Sequence, residues 1–107
     1  MEIKQYQIVL VNLDPTIGSE IQKTRPCVVI SPDEMNRHLS TIVIAPMTTK
    51  SRNYPTRLKI TRPGQTAWIV LDQIRTIDKI RFIRYIDKLK ASETEELKIM
   101  IREIFVD

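Results

Sequence analysis

The sequence is poor in the residues that form disulfides or bind zinc, since it contains one cysteine, Cys27, and one histidine, His38. A single cysteine cannot form an intramolecular disulfide, and this pair cannot supply the four ligands of a Cys and His zinc site. We therefore expect no metal and no other cofactor. The lone cysteine fits a reducing compartment, and His38 is expected at the surface.

Long apolar runs are also missing. No stretch approaches the roughly 20 consecutive apolar residues that span a bilayer, and residues 1–5 lack the basic and apolar regions of a signal peptide. We expect a cytoplasmic protein without a membrane partner. The 107 residues, 42% hydrophobic and 28% charged, have the composition of one globular domain over residues 1–107.

Positive charge is concentrated in the middle of the chain. Residues 50–91 contain eleven Lys and Arg residues and three Asp residues, a net charge of +8, whereas the whole chain carries +4. Such a segment can form a positive surface that attracts nucleic acid. A solvated face without a ligand explains the charge equally well, because many basic domains bind no nucleic acid specifically.

Short apolar runs separated by turn residues predict a mainly β fold. Strands are predicted over residues 6–13, 27–30, 41–47, 56–60 and 67–71, with the sheet continuing through 72–77. Pro46 indicates an edge position, a bulge or a strand end. Residues 78–85 fit either a helical turn or a short strand. The polar segment 14–25 is predicted to be an exposed loop that can fold over a ligand.

Two serine-led capping boxes predict helices. Ser31 with Glu34 precedes a short helix through about residue 36, and Ser92 with Glu95 precedes the last helix. The apolar residues of this last helix repeat at helical spacing: Leu97, Met100, Ile101, Ile104 and Phe105. We expect this stripe to pack against the sheet, since amphipathic helices normally bury their apolar face, although a membrane or partner surface has the same pattern.

The predicted loop carries residue types suited to RNA cleavage. RNA can be cut by its own 2′-hydroxyl when a base removes the proton and cations stabilise the charged transition state. Glu20 suits the role of the base and Arg25 that of the cation. An arginine on a rigid strand can contact two phosphate oxygens and keeps its charge. An ordinary surface salt bridge is the simpler interpretation of these two residues alone.

Further side chains of the predicted strands and loops can contact RNA. The hydroxyls of Thr48 and Thr49 can donate to a phosphate, although threonine near a strand is usually only a β-former. Gln73 and Arg75 alternate along a predicted strand, so both can face solvent and reach RNA or simply lie on the sheet surface. Tyr54 is the best candidate for stacking on a base.

Residues 9–31, which read VLVNLDPTIGSEIQKTRPCVVIS, closely resemble the opening signature of the MazF/PemK toxins. The resemblance continues through IAPMTT at 44–49, YPTR at 54–57 and LDQIRTID at 71–78, to the terminal helix. It implies a CcdB/PemK-like, SH3-like β-barrel with short helices and a C-terminal amphipathic helix. It also implies a homodimer, neutralised by an acidic, MazE-like antitoxin, that cleaves single-stranded mRNA at specific sequences without a metal. The implied products carry 2′,3′-cyclic phosphate and 5′-hydroxyl ends.

The resemblance also implies roles for individual residues. Arg25 is similar to the family's phosphate-binding and acid/base arginine, and Thr48 to its catalytic hydroxyl partner, while Glu20 either aids proton transfer or orders its loop. The implied RNA contacts are Ser19, Lys23, Thr49, Tyr54, Gln73 and Arg75. One departure lies at the first strand, where Tyr6 and Gln7 replace the family's usual glycine and acid.

Two other functions fit the same fold. One is a CcdB-like toxin that poisons a protein such as DNA gyrase, and the other is a non-catalytic RNA-binding barrel. The ribonuclease is favoured because the chain keeps Arg25 and Thr48, and because residues 102–107, which read REIFVD, contain no glycine, unlike the aromatic and glycine-bearing ending of the CcdB helix.

Overall fold

Seven strands and two α-helices form the fold of residues 2–106, the part of the chain described by a computed structural model. The elements are, in order, β1 (Gln7–Asn12), β2 (Thr24–Val29), α1 (Asp33–His38), β3 (Thr41–Thr48), β4 (Arg57–Arg62), β5 (Gln65–Val70), β6 (Arg75–Asp78), β7 (Phe82–Lys88) and α2 (Ala91–Phe105). Short 3₁₀ turns at Leu71–Gln73 and Lys79–Arg81 precede β6 and β7. Neither described helix is long and apolar enough to traverse a lipid bilayer. The mainly β class predicted from sequence is confirmed.

The strands form one antiparallel sheet that curls into a half-barrel, in the order β4-β5-β3-β2-β1-β7. β3 is shared between two parts of the sheet, because residues 41–44 pair with β6 whereas Met47 and Thr48 pair with β5. Pro46 lies between these two pairings and opposite Cys27 of β2. Pro46 is therefore neither on an edge strand nor at a strand end. Its missing N–H lies where the partner of β3 changes from β6 to β5.

The central strands β1, β2 and β3 are buried on both faces. Alternate residues of a strand point to opposite sides, so neighbours such as Ile8 and Val9 belong to different apolar clusters. The first cluster contains Ile8, Val28, Ala45, Met47, Leu58, Ile60, Ile69, Leu71, Leu89 and Leu97. The second contains Val9, Val11, Leu13, Cys27, Val29, Ile42, Ile44 and Ile77. The continuous apolar run of β2 is thus explained by burial on both sides, as its sequence predicts.

Helix α2 packs against the first cluster. Leu97 is fully buried, and Met100, Ile101 and Ile104 cover the cluster from the next turns. The predicted packing of the apolar stripe is confirmed for these residues. Phe105 is an exception, with 56% of its surface exposed, because it lies at the last helical residue.

The helices exist where predicted, but neither serine is a cap. The residue that precedes α1 is Pro32, while the hydroxyl of Ser31 donates to Asn36 Oδ1 at 2.5 Å and accepts from the backbone N of Val43 at 3.0 Å. Ser31 therefore joins α1 to β3. The residue that precedes α2 is Lys90, whose backbone N donates to Glu93 at 2.8 Å, so Ser92 is already helical.

Several predicted boundaries change in the folded chain. Backbone pairing with β1 extends β2 back to Thr24, so Arg25 lies on a strand rather than in the loop. Residues 72–77 do not simply continue β5, because a 3₁₀ turn intervenes before β6. Residues 78–85 contain both of the structures considered, a 3₁₀ turn followed by the start of β7.

The departure at Tyr6 has a conformational consequence. Tyr6 has φ of 68°, in the left-handed region that favours glycine. The conformation is held by contacts on both sides, since its backbone N donates to Val29 at 2.7 Å and its ring packs against the first cluster. The nitrogen of Lys98 in α2 lies 5.9 Å from the ring centroid.

Candidate nucleic-acid interface

An open groove of about 200 Å³ lies between the end of β3 and the β4-β5 hairpin. Arg25, Thr48 and Thr49 border it, and apolar residues such as Met47 and Ile60 line it. The β2-β3 pairing explains why Arg25 and Thr48 meet, since Cys27 faces Pro46 and the same register, continued by two residues, places Arg25 opposite Thr48. The two residues expected to act together therefore border one groove.

Arg25 carries a positive charge that nearby carboxylates do not neutralise. Its Nε donates to the carbonyl of Gln22 at 3.2 Å, and the side chain is half-buried. No carboxylate of residues 2–106 lies within 4.0 Å of its guanidinium. The salt bridge with Glu20 considered from sequence is thus absent from the described part of the chain. An unpaired guanidinium at a groove is suited to hold a phosphate.

Thr48 ends β3 and begins the loop to β4. Its Oγ1 accepts from the backbone N of Lys50 at 3.2 Å and donates to the carbonyl of the same residue at 3.3 Å. This local turn fixes the position of the hydroxyl beside the groove. Thr49, the next residue, is exposed.

The loop between β1 and β2 contains three of the predicted site residues, all exposed: Ser19, Glu20 and Lys23. Glu20 Oε1 accepts from the backbone N of Ile17 at 2.6 Å and so stabilises a turn within the loop. Lys23 has φ of 71°, and its backbone N donates to Asp14 at 3.0 Å. These contacts give the exposed loop a defined conformation.

Glu20 and Arg25 border different recesses. Glu20 lines a second cavity of about 240 Å³, together with Asp72, Gln73 and Arg75. Pro46 of β3 also lines it, only two residues before Thr48, so the second cavity and the groove border neighbouring residues of one strand. Glu20 therefore does not line the groove that Arg25 and Thr48 border.

The spacing of Gln73 and Arg75 allows both to face solvent on one strand, but the structure shows a different arrangement. Gln73 lies in the 3₁₀ turn and Arg75 begins β6, and both are half-buried. The side chain of Gln73 accepts from the N of Ile21 at 2.7 Å and donates to the carbonyl of Ser19 at 3.2 Å. Arg75 donates to the carbonyl of Leu13 at 3.2 Å. Both side chains hold the β1-β2 loop.

Tyr54 lies in the loop between β3 and β4 and is 44% exposed. The guanidinium carbon of Arg57 is 5.0 Å from the centroid of its ring, and Arg57 also donates to Asp72 at 3.2 and 3.3 Å. Burial of Asp72 opposes ionisation, but hydrogen bonds from Arg57 and Thr56 outweigh it and lower the pKa of this carboxyl. One ring face can thus stack on a base while Arg57 occupies the other.

Arg62, which the sequence patterns do not single out as a site residue, also borders the groove. Its guanidinium donates to Glu93 at 2.6 and 2.9 Å and to Asp87 at 3.2 Å. The hydrogen bonds from Arg62 lower the pKa of Glu93 against the effect of burial. Because two carboxylates already hold this guanidinium, Arg62 supports the groove wall. No short-range sequence signal indicates it, since Glu93 lies 31 residues away.

Cys27 and His38 lie apart from this site. Burial raises the pKa of the Cys27 thiol to about 12, against the opposing charge of Arg75. His38 is exposed on α1, with Nε2 3.3 Å from Glu34 Oε1, as expected for a surface residue. Among residues 2–106, no three His, Cys, Asp or Glu side chains are grouped closely enough to hold a metal ion.

The comparisons with known proteins agree with this architecture. Residues 4–105 match the family model described as PemK-like, MazF-like toxin of type II toxin-antitoxin system. The structure is similar to that of MazF from Deinococcus radiodurans, with a TM-score of 0.86 and 21% identity over 97% of this chain and 96% of that one.

Two mycobacterial structures are also similar. The toxin MazF-mt6 of Mycobacterium tuberculosis has a TM-score of 0.78 and 25% identity over 92% of this chain and 95% of that one. An endoribonuclease in complex with its cognate antitoxin, from a mycobacterial species, has a TM-score of 0.80 and 19% identity over 94% and 92% of the two chains. The predicted barrel with its C-terminal helix is thereby confirmed. Because the family model covers nearly the whole sequence, this chain belongs to the PemK-like, MazF-like toxins of type II toxin-antitoxin systems.

Proposed function

We propose that this toxin is a metal-independent endoribonuclease that cleaves single-stranded mRNA at specific sequences. The observation that supports this most directly is the position of Arg25. Its guanidinium has no carboxylate within 4.0 Å among residues 2–106, and it borders the same groove as Thr48. A fixed cation and a hydroxyl at one groove match the needs of a phosphate that gains charge during reaction.

The proposed reaction is an attack of the ribose 2′-oxygen on the adjacent phosphorus. A bond forms between O2′ and phosphorus while the bond from phosphorus to O5′ breaks, which gives a 2′,3′-cyclic phosphate and a 5′-hydroxyl. Arg25 keeps its charge and donates to the non-bridging oxygens in the transition state, while the departing O5′ takes up a proton from water. The hydroxyl of Thr48 exchanges its hydrogen bond to the carbonyl of Lys50 for one to the phosphate. No outside nucleophile takes part in this step.

Glu20 is the candidate base for the 2′-hydroxyl proton. Its carboxylate contacts Ile17 and lines the neighbouring cavity, so this role requires RNA binding to exchange that contact for one with the ribose. The alternative role for Glu20 is to order the loop through the same contact. Replacing Glu20 by Gln separates the two roles, because the amide oxygen can still accept from Ile17 but the side chain no longer takes up a proton.

Four exposed residues are proposed to contact the RNA chain beside the reacting phosphate. Lys23 and Ser19 extend from the β1-β2 loop, Thr49 follows Thr48, and Tyr54 offers a ring face. Aromatic stacking and backbone contacts of this kind bind single strands. They bring base preference only through the shape of the loops that carry them.

We further propose that the toxin acts as a homodimer and that an acidic, MazE-like antitoxin neutralises it. Support comes from the family and from the fold shared with a mycobacterial endoribonuclease solved with its cognate antitoxin. The net charge of +4 favours an acidic partner, which would compete with RNA for the same basic surface.

Incubating the purified protein with a long single-stranded RNA in EDTA, and mapping both new ends, tests the proposed reaction. We expect discrete cuts with the two end groups named above. Arg25→Ala should lower the cleavage rate at least about 100-fold, the usual consequence of losing a group that stabilises transition-state charge. Arg102→Ala is the matched control, because it removes an arginine from an exposed turn of α2, and should leave the rate unchanged.

Three outcomes would contradict the proposal. RNA that stays intact, without binding, would favour a toxin that poisons a protein such as DNA gyrase. Binding without cleavage would indicate a non-catalytic RNA-binding barrel. Undiminished cleavage by Arg25→Ala would reject the role assigned to this residue.

A further inference from the structure

The turn at residues 71–75 holds the two loops that lead to the groove. Gln73 bonds with the β1-β2 loop, which ends just before Arg25, through Ile21 and Ser19. Asp72, the preceding residue, accepts from Thr56 at 2.9 Å and from Arg57 at 3.2 Å, and so fixes the end of the loop that starts after Thr48. Neighbouring residues of one turn thus support two loops that are remote in sequence.

A short path of hydrogen bonds joins Gln73 to Arg25. Gln73 Oε1 accepts from the backbone N of Ile21 at 2.7 Å. The next residue, Gln22, presents its carbonyl to Arg25 Nε at 3.2 Å. The carbonyl that orients the guanidinium thus belongs to the residue after the one whose N–H Gln73 holds. This carbonyl is the partner of Nε, so the two terminal nitrogens of Arg25 are left to face a phosphate.

We propose that Gln73 is a positioning residue for Arg25, acting through Ile21 and Gln22, and not a reader of RNA bases. The expected effect on cleavage rests on the ribonuclease function proposed above. Whether or not the protein cleaves RNA, Gln73 should fix the β1-β2 loop of the free protein.

The hydrogen bonds of Gln73 argue against base reading. A side-chain amide reads a base edge by using its oxygen and nitrogen together. Both atoms of Gln73 are already engaged with the loop, the oxygen by Ile21 and the nitrogen by Ser19. Turning the amide towards RNA would release both bonds and leave the part-buried N–H of Ile21 without a partner, which is costly.

Two arginine side chains hold the base of the same loop, whereas residues 19–21 are held by Gln73 and by the packing of Ile21 against the second cluster. Arg75 donates to the carbonyl of Leu13 at 3.2 Å, and Arg81 donates to the carbonyls of Asn12 and Asp14. These bonds lie where the loop leaves β1. Gln73 alone among these three side chains reaches residues 19–21, next to Gln22. Its loss should therefore loosen this part of the loop without separating the strands.

Hydrogen exchange of the free protein, combined with steady-state RNA cleavage, tests the proposal. Gln73→Leu removes both bonds at nearly constant volume, whereas Gln73→Glu keeps an acceptor for Ile21. The matched control is Gln7→Leu, since Gln7 Oε1 also accepts from a backbone N, that of Lys4 at 2.9 Å, away from the loop. Circular dichroism of each variant verifies folding.

We expect amide exchange of Ile21 to become about three- to tenfold faster in Gln73→Leu, with a smaller change in Gln73→Glu and none in Gln7→Leu. In cleavage, Gln73→Leu should lower kcat about 10- to 100-fold, since small misplacements of a catalytic group have such effects. KM should change less than kcat, because the main effect falls on the position of Arg25.

Unchanged exchange of Ile21 in Gln73→Leu would overturn the proposal. So would a raised KM at unchanged kcat, because the loss would then fall on RNA binding and not on the position of Arg25. If the unmodified protein does not cleave RNA, the function proposed above fails, and the exchange data alone then decide whether Gln73 holds the loop.

Discussion

The guanidinium of Arg62 donates to both carboxylate oxygens of Glu93, at 2.6 and 2.9 Å. Arg62 ends β4 and Glu93 lies in the first turn of α2, so this pair fastens the terminal helix to the hairpin beside the groove. The two side chains are 23% and 13% exposed, which shields the pair from much of the solvent. The structure thereby links the stability of α2 to the wall of the candidate site.

Glu93→Gln should reduce the free energy of unfolding by about 1 to 2 kcal/mol, because it replaces a two-point charged interaction by a weaker neutral one. Urea unfolding followed by circular dichroism measures this change. Glu95→Gln is the control, since Glu95 is 71% exposed and lies 3.7 Å from Lys98 on the same helix. Glu95→Gln should reduce the free energy of unfolding by less than about 0.5 kcal/mol. Equal losses in both variants would contradict the importance of the Arg62 pair.

Stability should fall in acid because the pKa values of Asp72 and Glu93 are lowered in the folded protein. Burial raises the pKa of Asp72, but hydrogen bonds from Arg57 outweigh it. Hydrogen bonds from Arg62 lower the pKa of Glu93. The folded state therefore holds fewer protons than the unfolded one at low pH. The stabilisation from these two carboxylates is complete above their ordinary pKa values, 3.8 for Asp and 4.5 for Glu. It is lost as the pH falls through the lowered pKa values of the folded protein.

Urea unfolding at a series of pH values between about 6 and 2.5 measures this dependence. The curve for Glu93→Gln should be flatter than that of the unmodified protein, because one of the two groups no longer titrates. A variant curve parallel to the original over the whole range would show that Glu93 has an ordinary pKa.

Thr48→Val should slow RNA cleavage about 10- to 1000-fold if the hydroxyl donates to the reacting phosphate, as proposed. Thr48→Ser keeps the hydroxyl and should retain most of the rate. Thr76→Val makes the same change at an exposed position of β6 and controls for general effects on the sheet. Comparable rates for Thr48→Val and Thr76→Val, measured on one RNA, would exclude a role for the hydroxyl.

Cys27 should be unreactive in the folded protein. It is fully buried in the second apolar cluster, and burial raises the pKa of its thiol to about 12, so little thiolate forms near neutral pH. Alkylation by iodoacetamide, followed by mass spectrometry, should be at least about a hundredfold slower than in guanidinium chloride. Rapid labelling under native conditions would mean that β2 opens readily.

Much of the fold follows from local patterns in the sequence. The strands around residues 7–12 and 41–48 and the helix at Ala91–Phe105 lie close to their predicted positions, because apolar spacing reports which side of an element is buried. Errors are concentrated at the caps of Ser31 and Ser92, where a hydroxyl has more than one backbone group within reach. The local pattern cannot decide between those partners.

The sequence by itself determined the mainly β class, the family and the choice of Arg25 and Thr48, because these depend on residue types and their order. Only the tertiary structure decided that Glu20 borders a separate cavity and that Gln73 bonds with Ile21, 52 residues away. The same holds for Arg62 and Glu93. Such partners meet only when strand register and sheet curvature are fixed, and a shift of one residue would turn each side chain to the other face.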